Sequence, residues 1–238
     1  MKVAAIIPAR YESTRFPGKP LTDVAGKPMI RRIYEQVKLC PDIDEVIVAT
    51  DDERIRKACE SFGAPVAMTG ADCRSGTDRV AQAAAATDAD AVINVQGDQV
   101  VLDRAALTEV ARGLREGCAM VTVATPASPE EPGDPNCVKV VLDTRGFALY
   151  FSRSDIPFRR GGKSVETLKH IGIYGFSRGT LERFTRLDPT PLELAESLEQ
   201  LRALENGIPI RVIIASGSYL EINTPEDRER VLKTWREY

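Results

Sequence analysis

Short apolar runs alternate along the chain with stretches where apolar residues recur every three or four positions. Residues 2–8 hold the continuous run Val3-Ala4-Ala5-Ile6-Ile7 and predict a buried strand. Residues 28–39 place Met29, Ile33 and Val37 on one face and predict a helix. A strand follows at 45–49, then a helix opened by a Thr50–Glu53 capping box, a strand at 65–68 and an alanine-rich helix at 76–87. A strand at 91–95 and a helix at 103–116 extend the series. Strand and helix in regular turn predict an α/β fold, with a mainly parallel sheet covered by helices on both faces.

Beyond about residue 119 the rhythm changes. Strands are expected at 119–124, 137–142, 148–151 and 171–176, joined by segments rich in proline, glycine and charge. This predicts an antiparallel excursion from the main sheet. Helices at 179–187 and 191–205, a strand at 210–214 and a last helix from Pro225 complete the pattern. No internal repeat is present, so one domain is expected over residues 1–238, with the excursion at about 120–205. In a doubly wound sheet, ligands bind beyond the carboxyl ends of the strands. Chemistry is therefore expected just after the first, third and fourth strands and just before the last helix.

Of the 238 residues, 43 % are hydrophobic, enough for a full core. Lys and Arg number 32 against 35 Asp and Glu, a net charge of −3, which argues against a general nucleic-acid binder. Any anion must therefore meet local positive charge. No apolar run approaches the ~20 residues of a membrane span. The first apolar run meets Pro8 and Arg10 too soon for a signal peptide. Five scattered cysteines, Cys40, Cys59, Cys73, Cys118 and Cys137, disfavour a disulfide framework and form no Cys-x-x-Cys zinc pair. A cytoplasmic protein is expected, with neither membrane nor nucleic acid as partner. His170 is the single histidine, so a two-histidine metal motif is impossible. No Gly-x-Ser-x-Gly supports a serine triad.

The loop after the first strand runs Pro8-Ala9-Arg10-Tyr11-Glu12-Ser13-Thr14-Arg15-Phe16-Pro17-Gly18-Lys19-Pro20-Leu21. Wrapped around a small anion, it can aim Arg10, Arg15 and Lys19 inward, the arginines as bidentate forks and the lysine as a mobile point charge. The bland alternative is a solvated surface loop. It is not a Walker loop, because Gly18-Lys19 is followed by proline, and no Gly-x-Gly-x-x-Gly occurs anywhere. Ser75-Gly76-Thr77-Asp78-Arg79 opens a helix; Ser75 or Thr77 suits the N-cap, and free N–H groups there also suit a ligand oxygen. Gln96-Gly97-Asp98 ends a hydrophobic strand on a turn that presents one carboxylate, placed to hold Mg²⁺ against phosphate. Thr224 as N-cap with Pro225 at the first helical position explains the last helix start and leaves Glu221 and Asn223 for function. His170 and Tyr174, four residues apart, share a strand face. A lone histidine is more often a packing residue than a ligand. Glu199-Gln200, taken alone, fits a solvated helix surface.

These segments, in this order, resemble the 3-deoxy-manno-octulosonate (Kdo) cytidylyltransferases over nearly the whole chain. The likeness rests on the loop from Pro8 to Leu21, Gly26-Lys27-Pro28-Met29-Ile30, Ala49-Thr50-Asp51, Ser75-Gly76-Thr77 and Gln96-Gly97-Asp98. It continues through Val138-Lys139-Val140-Val141-Leu142-Asp143, Ala148 to Arg153, His170 to Tyr174 and Leu198-Glu199-Gln200-Leu201-Arg202. The resemblance implies a Rossmann-like nucleotidyltransferase fold, an antiparallel subdomain for sugar binding and dimerisation, a homodimer, and CTP with Mg²⁺. It implies transfer of CMP from CTP to Kdo with release of diphosphate, a step of lipopolysaccharide inner-core synthesis. By position, Arg10, Ser13 and Lys19 would contact the triphosphate, with Arg15 in the same loop. Ala9, Ser75, Gly76 and Gln96 would lie by the cytidine. Asp98 would bind the metal, with Asn223 at the second metal position, and Arg10, Lys19 and Asp98 would serve catalysis. Arg153, His170, Tyr174, Glu199 and Gln200 would line the sugar-acid site.

The chain departs from the family pattern at two places. Gln99-Val100 follows Asp98 where Glu-Pro is frequent. Glu221-Ile222-Asn223-Thr224 stands where Gly-Val-Asp-Thr is usual, so the second metal carboxylate is an amide. The alternatives within the class are a cytidylyltransferase for 8-amino-Kdo or another 2-keto sugar acid, or an enzyme acting on neuraminate, methylerythritol phosphate or a sugar 1-phosphate. A metal-dependent glycosyltransferase would show Asp-x-Asp, which Asp98-Gln99-Val100 does not. Asn223 keeps open a non-catalytic nucleotide-binding paralogue.

Overall fold

The computed structural model describes residues 1–162 and 165–235. It divides into two compact units, residues 1–108 with 217 onward, and residues 109–216.

The first unit starts with β1 (Val3–Pro8), whose Val3, Ala4, Ala5, Ile6 and Ile7 are fully buried, as expected of a central parallel strand. A small hairpin, β2 (Asp23–Val24) and β3 (Lys27–Pro28), turns through Ala25 and Gly26, both at positive φ. Helix α1 (Met29–Lys38) then buries Met29, Ile30, Ile33, Tyr34 and Val37. There follow β4 (Glu45–Thr50), α2 (Glu53–Ser61), β5 (Val66–Met68), α3 (Gly76–Ala84) and β6 (Ala91–Asn94). The strands lie in the order β6-β1-β4-β5, all parallel. Their carboxyl ends therefore share one edge. After β7 (Gln99–Val101), α4 (Arg104–Arg115) leads the chain into the second unit.

That unit holds β8 (Met120–Pro126), β9 (Lys139–Leu142), β10 (Ala148–Ser152) and β11 (Leu168–Ser177). Helices α5 (Arg178–Thr185), α6 (Pro191–Glu196) and α7 (Gln200–Glu205) precede β12 (Ile210–Ile214). The strand order is β12-β8-β11-β9-β10, antiparallel except for β12 beside β8. The chain then returns to the first unit, where β13 (Leu220–Glu221) pairs antiparallel with β7 and α8 (Pro225–Thr234) follows.

The α/β alternation and the antiparallel excursion follow the hydrophobic pattern. Two local expectations are corrected. Thr50 does not cap α2: it ends β4, and Asp52 is the N-cap, accepting from the Arg54 N–H at 2.8 Å. A carboxylate one residue from the helix is better placed than a hydroxyl still held in the strand. The single helix expected at 191–205 is two helices, broken at Ser197, which adopts a left-handed φ of 51°. The two-residue strands and β7 carry too few residues to show a period and were not foreseen.

Lys139 is among the largest fully buried side chains. Among the described residues no carboxylate pairs with it. Its ammonium donates instead to the carbonyls of Cys137 (2.6 Å), Asp134 (3.0 Å) and Arg153, tying the 134–137 turn to the end of β10. Lys139→Met, of similar length, leaves these carbonyls unpaired and should lower the unfolding free energy by about 3 kcal/mol, read from chemical denaturation. Wild-type stability in that variant would show that the ammonium does not hold the turn.

Candidate functional site

In the first unit, the chain leaves β1 beside the end of β4, with the buried Ala9 donating its N–H to the Ala49 carbonyl at 2.8 Å. The 96–98 turn presses against the same strand end. A Cβ on Gly97 would stand 2.5 Å from the Pro8 carbonyl oxygen, so only glycine allows this approach. The loop between is closed on itself. Gly18, at φ +71°, donates to the Tyr11 carbonyl at 2.9 Å, and Arg54 stacks 3.3 Å over the Tyr11 ring. The Ser13 hydroxyl accepts from the Phe16 N–H at 3.3 Å.

This closure delivers Lys19 to the 96–98 turn. Its ammonium donates to Asp98 Oδ2 at 3.2 Å and Asn223 Oδ1 at 3.4 Å. Asn223 reaches the site because β13 pairs with β7 and the Ile222 N–H donates to the Asp98 carbonyl at 3.0 Å. Thr224 caps α8 as expected, and Asp227 answers by accepting from the Asn223 and Thr224 N–H groups. Of the three cations expected to point inward, only Lys19 does. Arg10 and Arg15 are exposed and make no hydrogen bond or ion pair among the described residues.

Ser75 is the N-cap of α3, accepting from the Asp78 N–H at 3.1 Å, and Gly76 begins the helix. Two contacts that sequence spacing does not signal pin this helix start to the strand ends. Arg79, nearly buried, pairs with Asp51 at 3.0 Å, and the buried Asn94 amide donates to the Thr77 hydroxyl at 3.4 Å. Gln96 is half-buried at the end of β6. Ala9, Gln96, Ser75, Gly76, Lys19 and Asp98 thus all lie at the carboxyl edge of the parallel sheet.

Among the described residues no group of three or more His, Cys, Asp and Glu is arranged to hold a metal. What converges is one carboxylate oxygen and one amide oxygen on a single cationic nitrogen. Two hard oxygen donors turned on one ammonium fit a small hard cation that completes its shell with phosphate and water.

In the second unit, β11 carries two extra residues against β8: Ile171 pairs with Val123 and Tyr174 with Thr122. Two extra residues preserve facing, so His170 and Tyr174 stay side by side, ring centroids 5.3 Å apart, with Phe151 5.0 Å from His170. The Thr122 hydroxyl donates to the Ile173 carbonyl at 2.7 Å and meets His170 Nε2 at 3.0 Å. Burial pushes the His170 pKa down to about 3, and pushes the Tyr174 hydroxyl well above its ordinary range. His170 is therefore a neutral hydrogen-bonding group at pH 7.

Arg153 is only partly available. Its guanidinium donates to the carbonyls of Glu196 (2.7 Å), Pro135 (3.0 Å) and Ser197 (3.3 Å), leaving two of its five donors. The Glu196 carboxylate, which the sequence did not single out, accepts from the Ser152 hydroxyl (2.6 Å) and the Arg153 N–H (2.9 Å). Burial opposes its charge, but these hydrogen bonds prevail and hold it below the usual carboxylate range. Glu199 and Gln200 are not a solvated pair. Glu199 pairs with Arg202 at 3.5 Å, and Gln200 is 3 % exposed with its Nε2 lacking a partner among the described residues. A buried amide donor without a partner suits a ligand oxygen.

The fold, with these loops at its strand ends, places the chain in the class of Rossmann-like nucleotidyltransferases. The family model described as cytidylyltransferase matches residues 4–213. A 3-deoxy-manno-octulosonate cytidylyltransferase of Geobacter sulfurreducens is 44 % identical over 98 % of this chain and 99 % of its own. One of Syntrophobacter fumaroxidans is 47 % identical over 98 % and 96 %, and a mitochondrial one of Arabidopsis thaliana 42 % over 99 % and 84 %. A solved CMP:2-keto-3-deoxy-manno-octonic acid synthetase in complex with CTP superposes with a TM-score of 0.95 at 40 % identity, covering 98 % of each chain. A thymidylyltransferase structure from Bacillus anthracis, TM-score 0.69 at 16 % identity, shares the fold alone. The chain belongs to the cytidylyltransferase family, among its 3-deoxy-manno-octulosonate members.

The neutral His170 has a consequence for stability. In the unfolded chain a histidine takes up a proton below its ordinary 6.5, whereas the folded ring resists until about 3. Below 6.5 the unfolded state thus binds the extra proton, and stability falls as pH drops. His170 is the only histidine, so His170→Phe should flatten the pH dependence of the denaturation midpoint between about pH 7 and 5. The single histidine resonance of the folded wild type should not titrate over that range. A normal titration there would refute the neutral ring.

Proposed function

We propose that the chain transfers CMP from CTP to the anomeric hydroxyl of Kdo, releasing diphosphate, as the names of its full-length relatives indicate for those proteins. The observation that carries this reading is the convergence of Lys19, Asp98 and Asn223 at the carboxyl edge of the parallel sheet, with Arg10 and Arg15, which make no hydrogen bond or ion pair among the described residues, in the same loop as Lys19. In this reading the acceptor hydroxyl attacks the α-phosphorus in line and diphosphate leaves. The protein supplies position and charge rather than a covalent intermediate. Arg10, Arg15 and Lys19 neutralise the oxygens that grow more negative, and the Ser13 hydroxyl contacts the triphosphate. The α3 N-terminus at Ser75 and Gly76, with Ala9 and Gln96, accommodates the cytidine.

Asp98 and Asn223 would hold Mg²⁺, which when bound supplies charge neutralisation at the phosphates. In the second unit, the two remaining Arg153 donors and the unpartnered Gln200 amide suit a sugar carboxylate and hydroxyls. His170, Tyr174 and Glu199 complete that set, His170 as a neutral donor or acceptor. The absence of Asp-x-Asp keeps the glycosyltransferase reading behind this one.

A homodimer is part of the proposal. Six large hydrophobics of the second unit, Leu149, Phe158, Val165, Leu192, Leu194 and Ile214, are exposed, Phe158 to 89 %. A cytoplasmic setting suits the five free cysteines. No helix among the described residues is long and apolar enough to cross a membrane. The product would feed lipopolysaccharide inner-core assembly.

Diphosphate release from CTP, measured with Kdo, 8-amino-Kdo, neuraminate and glucose 1-phosphate, should favour Kdo. A preference for glucose 1-phosphate would overturn the sugar-acid reading. Arg10→Ala and Lys19→Ala should each lower kcat/KM by about 2 kcal/mol, roughly 30-fold. Asp98→Asn should nearly abolish turnover, because no carboxylate would remain to hold the metal. Full activity in all three variants would refute the phosphate and metal assignments. Phe158→Asp should shift the sedimentation profile from dimer toward monomer.

A further inference from the structure

We propose that Glu221 is a positioning residue that sets which way the Asn223 side-chain amide faces. It thereby ensures that an oxygen, not an NH2 group, meets the cation position beside Asp98. The proposal rests on the metal reading given above.

An asparagine is two-faced: one terminal atom accepts and the other donates. Only its oxygen can ligate a hard cation. Near Asp98 the wrong face has its own attraction, since an amide NH2 could donate to that carboxylate. Something must select the oxygen, and Glu221 is placed to do so. Asn223 Nδ2 donates to Glu221 Oε2 at 3.4 Å, while Asn223 Oδ1 accepts from Lys19 at 3.4 Å. An ionised carboxylate only accepts, so a flipped amide would set oxygen against oxygen at Glu221 and NH2 against ammonium at Lys19.

Glu221 is itself held. Its other oxygen, Oε1, accepts from Gln99 Nε2 at 3.4 Å, and Gln99 is 1 % exposed, so its side chain has little freedom. The Gln99 side-chain oxygen Oε1 has no partner among the described residues, as expected if the NH2 end is committed to Glu221. The backbone is fixed alongside: Asp227 accepts from the Asn223 N–H at 3.0 Å and Asp98 from the Ile222 N–H. The order of control is therefore Gln99 to Glu221 to Asn223. In this arrangement Glu221 acts through Asn223, whose Nδ2 it holds at 3.4 Å.

An orienting role differs from a simple charge effect in a measurable way. A carboxylate at position 223 presents an oxygen whichever way it turns, so it needs no orientation. The test compares Mn²⁺ binding to the CTP-loaded protein, without acceptor, by water-proton relaxation. It uses wild type, Glu221→Gln, Asn223→Asp and the double variant. With Asn223 present, Glu221→Gln should weaken Mn²⁺ binding about tenfold, the scale seen when a group supporting a metal ligand is lost. With Asp at 223, the same change should cost less than about twofold, the remainder expected from an exposed charge. Equal losses in both backgrounds would mean that Glu221 acts by charge alone and would overturn the proposal, as would no loss in either. Asp98→Asn serves as the separate control. If it keeps full Mn²⁺ binding, the metal reading fails and this proposal fails with it.

Discussion

The approach of Gly97 to the Pro8 carbonyl is the constraint on which the first unit's chemistry depends. With room for no side chain at that point, the strand ends of β1 and β6 deliver their loops to the same place. Lys19, arriving from the first loop, can then reach Asp98, 79 residues later in the chain. The β13–β7 pairing adds Asn223 from a further segment. Three short pieces of chain, each ordinary alone, form a site because backbone can touch backbone at one glycine. A side chain there would force the 96–98 turn outward and separate the ammonium from its oxygens.

The second unit solves a different problem, that of keeping polar groups inside an antiparallel layer. Lys139 is met by carbonyl oxygens, and Arg202 by the Glu193 carboxylate at 2.6 and 2.8 Å. Glu196 is met by a hydroxyl and an N–H. Each charge that leaves water recovers hydrogen bonds, which is the condition for burying it at all. The result is a rigid frame around the aromatic series Phe151, His170, Tyr174, Phe176 and Phe184. Within this frame Gln200 Nε2 has no partner among the described residues, which leaves a donor available to a ligand.

The two units also separate what fold shows from what sites show. A thymidylyltransferase at 16 % identity shares the architecture, and architecture alone hosts many chemistries. Sequence identity of 42–47 % across the whole chain narrows the family. The departures at Gln99, Glu221 and Asn223 then matter because they fall together in space. Two amides now donate to one carboxylate, so the charge of the site is arranged differently rather than simply reduced.

The sequence by itself determined most of the strand and helix series, the cap at Thr224, and the family. Those features depend on apolar period, on side chains next to their own backbone, and on ordered motifs, all of which are local. It also pointed to Lys19 and Asp98 as chemistry at strand ends. It did not determine which cations turn inward, since Arg10 and Arg15 face water while Lys19 does not. Nor did it show that the 191–205 helix breaks at Ser197, that Gln200 is buried, that Arg153 spends most of its guanidinium on carbonyls, or that Arg79 pairs with Asp51. Each of these outcomes depends on partners that lie distant in the chain or on the space left by neighbouring elements. Desolvation and hydrogen-bond satisfaction are decided by the whole packed environment, and so only the tertiary structure could decide them.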